Sequence, residues 1–196
     1  MKNTYEYLRE HLPLYFKKIE ATQIRPFTDM LVQHCFFPRL IHSARDALYA
    51  YHFFRMLHKL RVPNFNILYM LTAMLKRVIP TMHCCSEGEA ENLGIFFGEL
   101  FGQLNLWNQR VNWTKECEGQ PSFTRSVNSD KHITYEDFTN TVFNHFAKQL
   151  TANLVMSFEN APEKYMKAKC SLLILNRMSK VFPSDYASAE RIHKTL

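Results

Sequence analysis

The sequence predicts an all-α protein: about eight antiparallel helices stacked as a HEAT-like helical-repeat solenoid segment. Three observations lead there. Apolar residues recur at helical spacing along most of the chain, no useful stretch alternates apolar with polar, and prolines and capping residues punctuate the apolar runs. The 196 residues are 46% hydrophobic and include 16 Phe, 9 Tyr and 2 Trp, a stock of large side chains suited to packing layers of helices. One helical domain over residues 1–196 is expected, interrupted by an internal loop at 118–133.

The first helix spans roughly Thr4 to Ala21, where Pro13 should bend or divide it. A second runs from about Phe27 into Cys35 and should stop near Pro38. Ser43 then reads as the N-cap of a third, with Asp46 at its third position. On that helix Tyr49, Phe53, Met56, Leu57 and Leu60 form an expected buried face. Arg45, His52, Arg55 and Lys59 lie opposite, and Tyr51 and Phe54 add apolar surface at a flank, so the helix should sit between neighbours. Pro63-Asn64 breaks the chain, with Asn64 the expected cap of a fourth helix that Pro80 ends. Ser86 and Glu89 form a capping box, and Glu87 and Glu91 suit the positive end of the helix dipole. Leu93, Phe96, Phe97, Leu100 and Leu104 make the buried stripe of that fifth helix. Beside them stand Gly94, Gly98 and Gly102, three of only five glycines. Each costs up to ~1 kcal/mol against alanine inside a helix, so a register of three marks a row where another backbone comes close.

Glu118 to Ile133 is the polar, turn-forming loop. Thr134 with Asp137 caps the next helix, which carries Val142, Phe143, Phe146 and Leu150. Another begins after Pro162. Its expected buried side is Leu172, Leu175, Met178 and Phe182, and its polar side Lys164, Lys167, Arg177 and Lys180. A short tail from Ser184 can form a final helix.

Net charge is +6. From Arg39 to Arg77 seven Lys or Arg face the single acid Asp46, so this segment carries the whole excess. Such a surface suits a polyanion or an acidic partner, and equally describes a solvated helix face. Arg45, His52, Arg55, Lys59, Arg61 and Arg77 are the candidate contacts. Five cysteines, an odd number with two adjacent, argue against a disulfide framework and for a reducing compartment. No apolar run is long enough to cross a bilayer, since Glu99 and Gln103 break the best candidate, and the opening MKNTYEYLRE lacks a signal-peptide centre.

No phosphate-binding, dinucleotide-binding, nucleophile-elbow or zinc-protease motif occurs. His83-Cys84-Cys85, with His34-Cys35 and Cys117 elsewhere, is the best metal candidate, but adjacent cysteines lack the gap that zinc ligand pairs use. No metal, cofactor or catalytic residue is therefore expected. The residues by themselves describe an α-helical interaction module with a basic face and do not describe an enzyme.

Phe37-Pro38-Arg39, Ser43, Asp46-Ala47-Leu48-Tyr49, Leu57-His58 and Pro63-Asn64-Phe65 carry a resemblance. It continues through Cys85-Ser86-Glu87, Glu89-Ala90, Gly94, Trp107, Lys115-Glu116-Cys117, Pro121 and Phe123. It resumes at Tyr135-Glu136-Asp137-Phe138, Leu150-Thr151, Tyr165, Leu172 to Leu175 and Phe182-Pro183. In this order the fragments resemble the largest subunit of the THO complex, over roughly Phe27 to Pro183. Two features depart from that pattern: the loop at 118–133 is shorter, and Lys169 stands where arginine is expected. The family protein is also far longer, so the chain would be a segment of its helical C-terminal half or a compact relative.

The resemblance implies a non-catalytic scaffold in the nuclear assembly that couples transcription to mRNA packaging and export. It implies other THO subunits and a DEAD-box RNA helicase as partners, with RNA or DNA nearby. The alternative is a free-standing nucleic-acid-binding module that uses the basic stripe around Arg45–Arg61. Among the motif positions, Phe37, Pro38 and Arg39 are expected to end a helix, Asp46 to cap one, Tyr49 to lie in the core and Trp107 to anchor packing. Pro63, Asn64 and Phe65 mark the break between helices.

Overall fold

The computed structural model describes residues 2–125, 131–159 and 165–196. Among the described residues the regular structure is helical, with α1 (Lys2–Lys17), α2 (Ile24–Met30), α3 (Phe37–His42), α4 (Ala44–Lys59), α5 (Ile67–Arg77) and α6 (Glu87–Trp107). The second half holds α7 (Arg110–Glu116), α8 (Tyr135–Asp137), α9 (Asn144–Phe158), α10 (Tyr165–Met178) and α11 (Tyr186–His193). The one extended pairing there is an isolated antiparallel bridge between Thr124 and His132.

The centre of the fold is α6, which receives α3 and α4 along one part and α10 along another, with α7 folding back on its end. Its start is fixed as the sequence dictates: Ser86 Oγ accepts from the Glu89 amide, and the Glu89 carboxylate accepts from the Ser86 amide at 2.8 Å. Leu93, Phe96, Phe97, Leu100 and Leu104 are all fully buried. Gly94, Gly98 and Gly102 face α10 and the turn that follows it. A β-carbon on Gly94 would lie 2.8 Å from Arg177 Cβ and 3.1 Å from Ile174 Cα, so the glycine row lets two backbones meet.

Several boundaries move from where the sequence places them. α1 runs unbroken past Pro13. The second helix does not stop at Pro38: residues 24–42 form one continuous helix in which a π-helical stretch, Leu31–Phe36, joins α2 to α3. Pro38 sits in the first turn of α3, just past the π stretch, where the missing N–H falls at a change of hydrogen-bond pattern. Phe37-Pro38-Arg39 therefore continues a helix and does not end one. A second π stretch, Phe138–Phe143, joins α8 to α9 after the expected Thr134/Asp137 capping box.

The cap of α5 is Asn66, whose Oδ1 accepts from the Tyr69 amide at 3.1 Å, and not Asn64. Asn64 adopts a left-handed φ of 60°, which asparagine tolerates, and donates its amide to the Phe16 and Ile19 carbonyls at the end of α1. Its job is to tie the first helix to the turn after α4.

On α4 the buried face is Ala47, Ala50, Tyr51, Phe54, Leu57 and His58. Tyr49, expected in the core, is 51% exposed, and Phe53, Met56 and Leu60 are only half-buried. The small residues Ala47 and Ala50 let α4 sit against α3 and α6, which rotates the inward face by about one residue from the one drawn by bulk alone. The same correction applies to α10, where Leu172 is 43% exposed and Ala168, Cys170, Ser171, Ile174 and Met178 turn inward. Pro162 and Lys164 lie outside the described residues.

The 118–133 loop is anchored at both ends. Pro121–Phe123 forms a short 3-10 turn, Ser122, Phe123 and Ile133 are buried, and the Ile133 amide donates to the Phe123 carbonyl at 2.9 Å. Residues 126–130 of that loop lie outside the described residues.

Candidate functional site

Along α4 the residues Arg45, His52 and Lys59 recur every seven positions, so they stand on nearly one line of the outer surface. All three are exposed, and Arg61 is exposed in the turn that follows, at a left-handed φ of 50°. Arg77 is exposed on a different helix, in the last turn of α5. Arg45, Lys59, Arg61 and Arg77 form no ion pair among the described residues.

Arg55, expected on the same stripe, belongs elsewhere. Its guanidinium turns toward Glu116 of α7 at 3.8 Å and keeps only 25% of its side chain exposed. Glu116 also accepts from Trp107 Nε1 at 3.0 Å and from Gln103 Nε2 at 3.3 Å. Arg55 is thus part of an internal clamp between α4, α6 and α7 rather than an outward contact. Trp107 is fully buried and packs edge-on against His58 and Phe123 and at a tilt against Phe54. His58 Nδ1 lies 2.8 Å from Ser122 Oγ, and burial pushes its pKa down to about 4, so the ring stays neutral. These contacts tie the 118–133 loop to the core. Phe65 is buried against Phe54, and Pro63 is half-buried in the turn beside Asn64.

The remaining family-motif positions meet on the surface. Arg39 Nη1 donates to Asp46 Oδ1 at 2.9 Å, and its guanidinium stacks over the Tyr49 ring with a centroid distance of 5.0 Å. Asp46 also receives the Ser43 hydroxyl at 2.7 Å. Its carboxyl is held below the ordinary aspartate range, first by the Ser43 hydrogen bond and then by the charges of His42 and Arg39. Asp46 therefore links the α4 cap to Arg39 besides standing in the first turn. Tyr49 is parallel to Phe53 at 6.4 Å. These groups border an open cleft of about 750 Å³ between α4 and the π stretch, whose walls include Leu31, His34, Phe36, Pro38 and Phe53. Phe37 is half-buried against the core behind it. Helical spacing in the sequence could not reveal this cleft, because the π stretch shifts the register of its far wall.

The metal candidate comes apart. His83 uses Nδ1 toward Ser157 Oγ at 3.0 Å and Nε2 toward Asn153 Oδ1 at 3.3 Å. Cys84 is exposed, Cys85 accepts at its carbonyl from the Cys170 thiol at 3.1 Å, and Cys117 is buried in the turn after α7. Burial holds the Cys85 thiol up at about 12 and raises that of Cys117 further, which keeps both protonated. Among the described residues no group of three or more His, Cys, Asp or Glu is placed to hold a metal ion, and no helix is long and apolar enough to cross a membrane.

Comparison with known proteins gives one answer. The family model for transcription factor/nuclear export subunit protein 2, Tho2, matches residues 1–196. THO complex subunit 2 of Homo sapiens is 28% identical over an alignment of 188 residues that covers 89% of this chain and 12% of that protein. The Arabidopsis thaliana subunit is 30% identical over 78% of this chain and 8% of its own length. The Saccharomyces cerevisiae subunit is 30% identical over 100% of this chain and 10% of its own. The chain thus spans about a tenth of the length of these curated relatives. No solved structure matches it. With the family model covering the whole chain, the chain belongs to the Tho2 family of THO-complex subunits.

Proposed function

We propose that the chain is a non-catalytic helical scaffold segment of a THO-complex large subunit, drawn from its helical C-terminal half. It acts in transcription-coupled mRNA packaging and nuclear mRNA export. Other THO subunits and the DEAD-box RNA helicase of the export pathway are its partners in this reading, and the nucleus is its location. The observation that carries it is what the family-motif residues do. Asn64 ties two helices through their carbonyls, Trp107 and Phe65 fill the core, and Asp46 links α3 to α4. Residues used in this way hold a shape, and shape is what a scaffold supplies. The HEAT-like reading rests on sequential pairs such as α3 with α4 and α9 with α10, from which the central α6 departs by meeting α3, α4, α7 and α10.

The test is affinity purification of the tagged protein from cell nuclei, with mass spectrometry of what accompanies it. THO subunits and the export helicase are expected in stoichiometric yield. Recovery without any export factor would overturn the scaffold reading.

A second reading, a nucleic-acid-binding module, has one observation in its favour: the exposed line of Arg45, His52 and Lys59 with Arg61 beyond it. Phosphate contacts weaken steeply as salt rises. Binding of single-stranded RNA that is salt-sensitive and lost in the Arg45→Glu/Lys59→Glu chain is its expected result. Equal binding by that variant would remove the line from consideration.

A further inference from the structure

The cleft between α4 and the π stretch has the makings of a recognition site that its helical surroundings do not require. π-helical turns are rare and recur at functional sites, because their poorer hydrogen bonding is kept only where the widened backbone serves something. Here the stretch Leu31–Phe36 forms one wall of the cleft and α4 the other. At the rim stands Arg39. Its guanidinium plane is fixed by the Tyr49 ring below it and by Asp46 at Nη1, while its side chain is 53% exposed. Among the described residues Nη2 and Nε have no hydrogen-bond partner. An arginine held this way presents a preorganised edge to an oxygen pair, and little side-chain entropy is lost on binding.

We propose that this cleft binds an acidic linear peptide segment of a protein partner: one Asp or Glu carboxylate on the free edge of Arg39, flanked by apolar side chains lying against Leu31, Phe36, Pro38 and Phe53. The volume of about 750 Å³ falls within the range of sites that enclose a few side chains. Charge complementarity selects the acidic residue through the open guanidinium edge of Arg39, the one Lys or Arg of the cleft wall, which it shares with His34 and His42. Nucleic acid fits less well. The Tyr49 ring is already covered by Arg39 and paired with Phe53, so it does not offer a base an open stacking platform. Apolar walls with a single oriented cation match a short acidic-apolar motif better than a phosphate backbone.

The inference rests on the scaffold reading only in taking the occupant to be protein. The two fail separately, because the cleft is tested by peptide capture and the scaffold by nuclear purification.

The experiment is selection of a random dodecapeptide phage library on the full 196-residue chain. Enriched sequences are then synthesised with a fluorophore and titrated against the unaltered chain, Arg39→Gln and Tyr49→Ser. Enriched peptides should carry Asp or Glu beside Leu, Phe or Met, and should bind both variants about tenfold more weakly or worse. Circular dichroism of each variant keeps a loss of fold apart from a loss of contact, and Arg39→Gln keeps an exposed polar side chain at that site. Peptides without an acidic residue, unchanged binding by Arg39→Gln, or no enrichment over a blank surface would each overturn the proposal. Capture of a labelled oligouridylate that depends on Arg39, with no peptide enriched, would overturn it in favour of RNA.

Discussion

Alanine at Gly94 is the sharpest probe of how α6 and α10 meet. In an isolated helix this change is favourable by up to ~1 kcal/mol, since glycine loses more backbone freedom on folding. The structure reverses the sign. The new methyl would stand 2.8 Å from Arg177 Cβ, 3.1 Å from Arg177 Cγ and 3.1 Å from Ile174 Cα. Two of those neighbours, Cβ and Cα, are rigidly attached to the α10 backbone, so a rotamer change cannot relieve the contact. The helices must separate by several tenths of an ångström along a seam lined by fully buried Leu93, Phe97 and Ile174. Overpacking of that kind costs about 1–3 kcal/mol, leaving a net destabilisation of up to about 2 kcal/mol after a propensity gain of ~1 kcal/mol. At Gly98 the nearest atom is Arg177 O at 3.4 Å, and at Gly102 it is Val181 Cγ1 at 3.7 Å. The expected order is therefore graded: Gly94→Ala destabilises, Gly98→Ala is close to neutral, and Gly102→Ala stabilises by up to ~1 kcal/mol. Urea unfolding with a common m-value reads the three differences directly, and thermal melts should follow at roughly 2–4 °C per kcal/mol for a chain of this size. A Gly94→Ala chain as stable as the parent would refute the close approach. Three equal gains would mean that propensity alone governs the row.

Other outcomes follow from the same contacts. His58 has a folded pKa of about 4, below the ordinary value of 6.5, so the unfolded chain binds the extra proton. Stability should be full above about pH 6.5 and fall as pH drops toward 4, by on the order of 3 kcal/mol at the limit; His58→Gln should flatten that slope in urea titrations at pH 7 and 5. Asn64→Ala removes two hydrogen bonds and puts alanine at a left-handed φ, for a loss of roughly 1–3 kcal/mol. Hydrogen exchange should then show α1 opening ahead of the core, and uniform protection of α1 would contradict the tie. Trp107→Phe keeps an aromatic ring but deprives Glu116 of its Nε1 donor, and should cost about 1–3 kcal/mol in chemical denaturation. Ser86→Ala should lose about 1 kcal/mol as the capping box fails, and an unchanged melting curve would argue against it.

The local chemistry of this chain was legible residue by residue. Ser43, Ser86 and Thr134 cap helices because a short hydroxyl reaches a free amide three residues on, an interaction that needs no distant partner. The stripe on α6 and the glycine row beside it were readable for the same reason, since periodicity is a property of one helix alone. The all-α class and the helical tail near Tyr186 follow from this local grammar. What only the tertiary structure decided is which neighbour each face meets. Ala47 and Ala50 turned α4 so that Tyr49 left the core, because a close helix contact favours small residues over large ones. Glu116, sixty-one positions from Arg55 in sequence, drew that arginine off the outer stripe. Asn64 lost a cap to Asn66 and gained a carbonyl pair at the end of α1. The cleft at Arg39 exists because a π stretch carries the second helix through Pro38 and lays it beside α4. Caps and stripes are local free energies written into neighbouring residues; clamps and clefts depend on distances that only the folded chain sets.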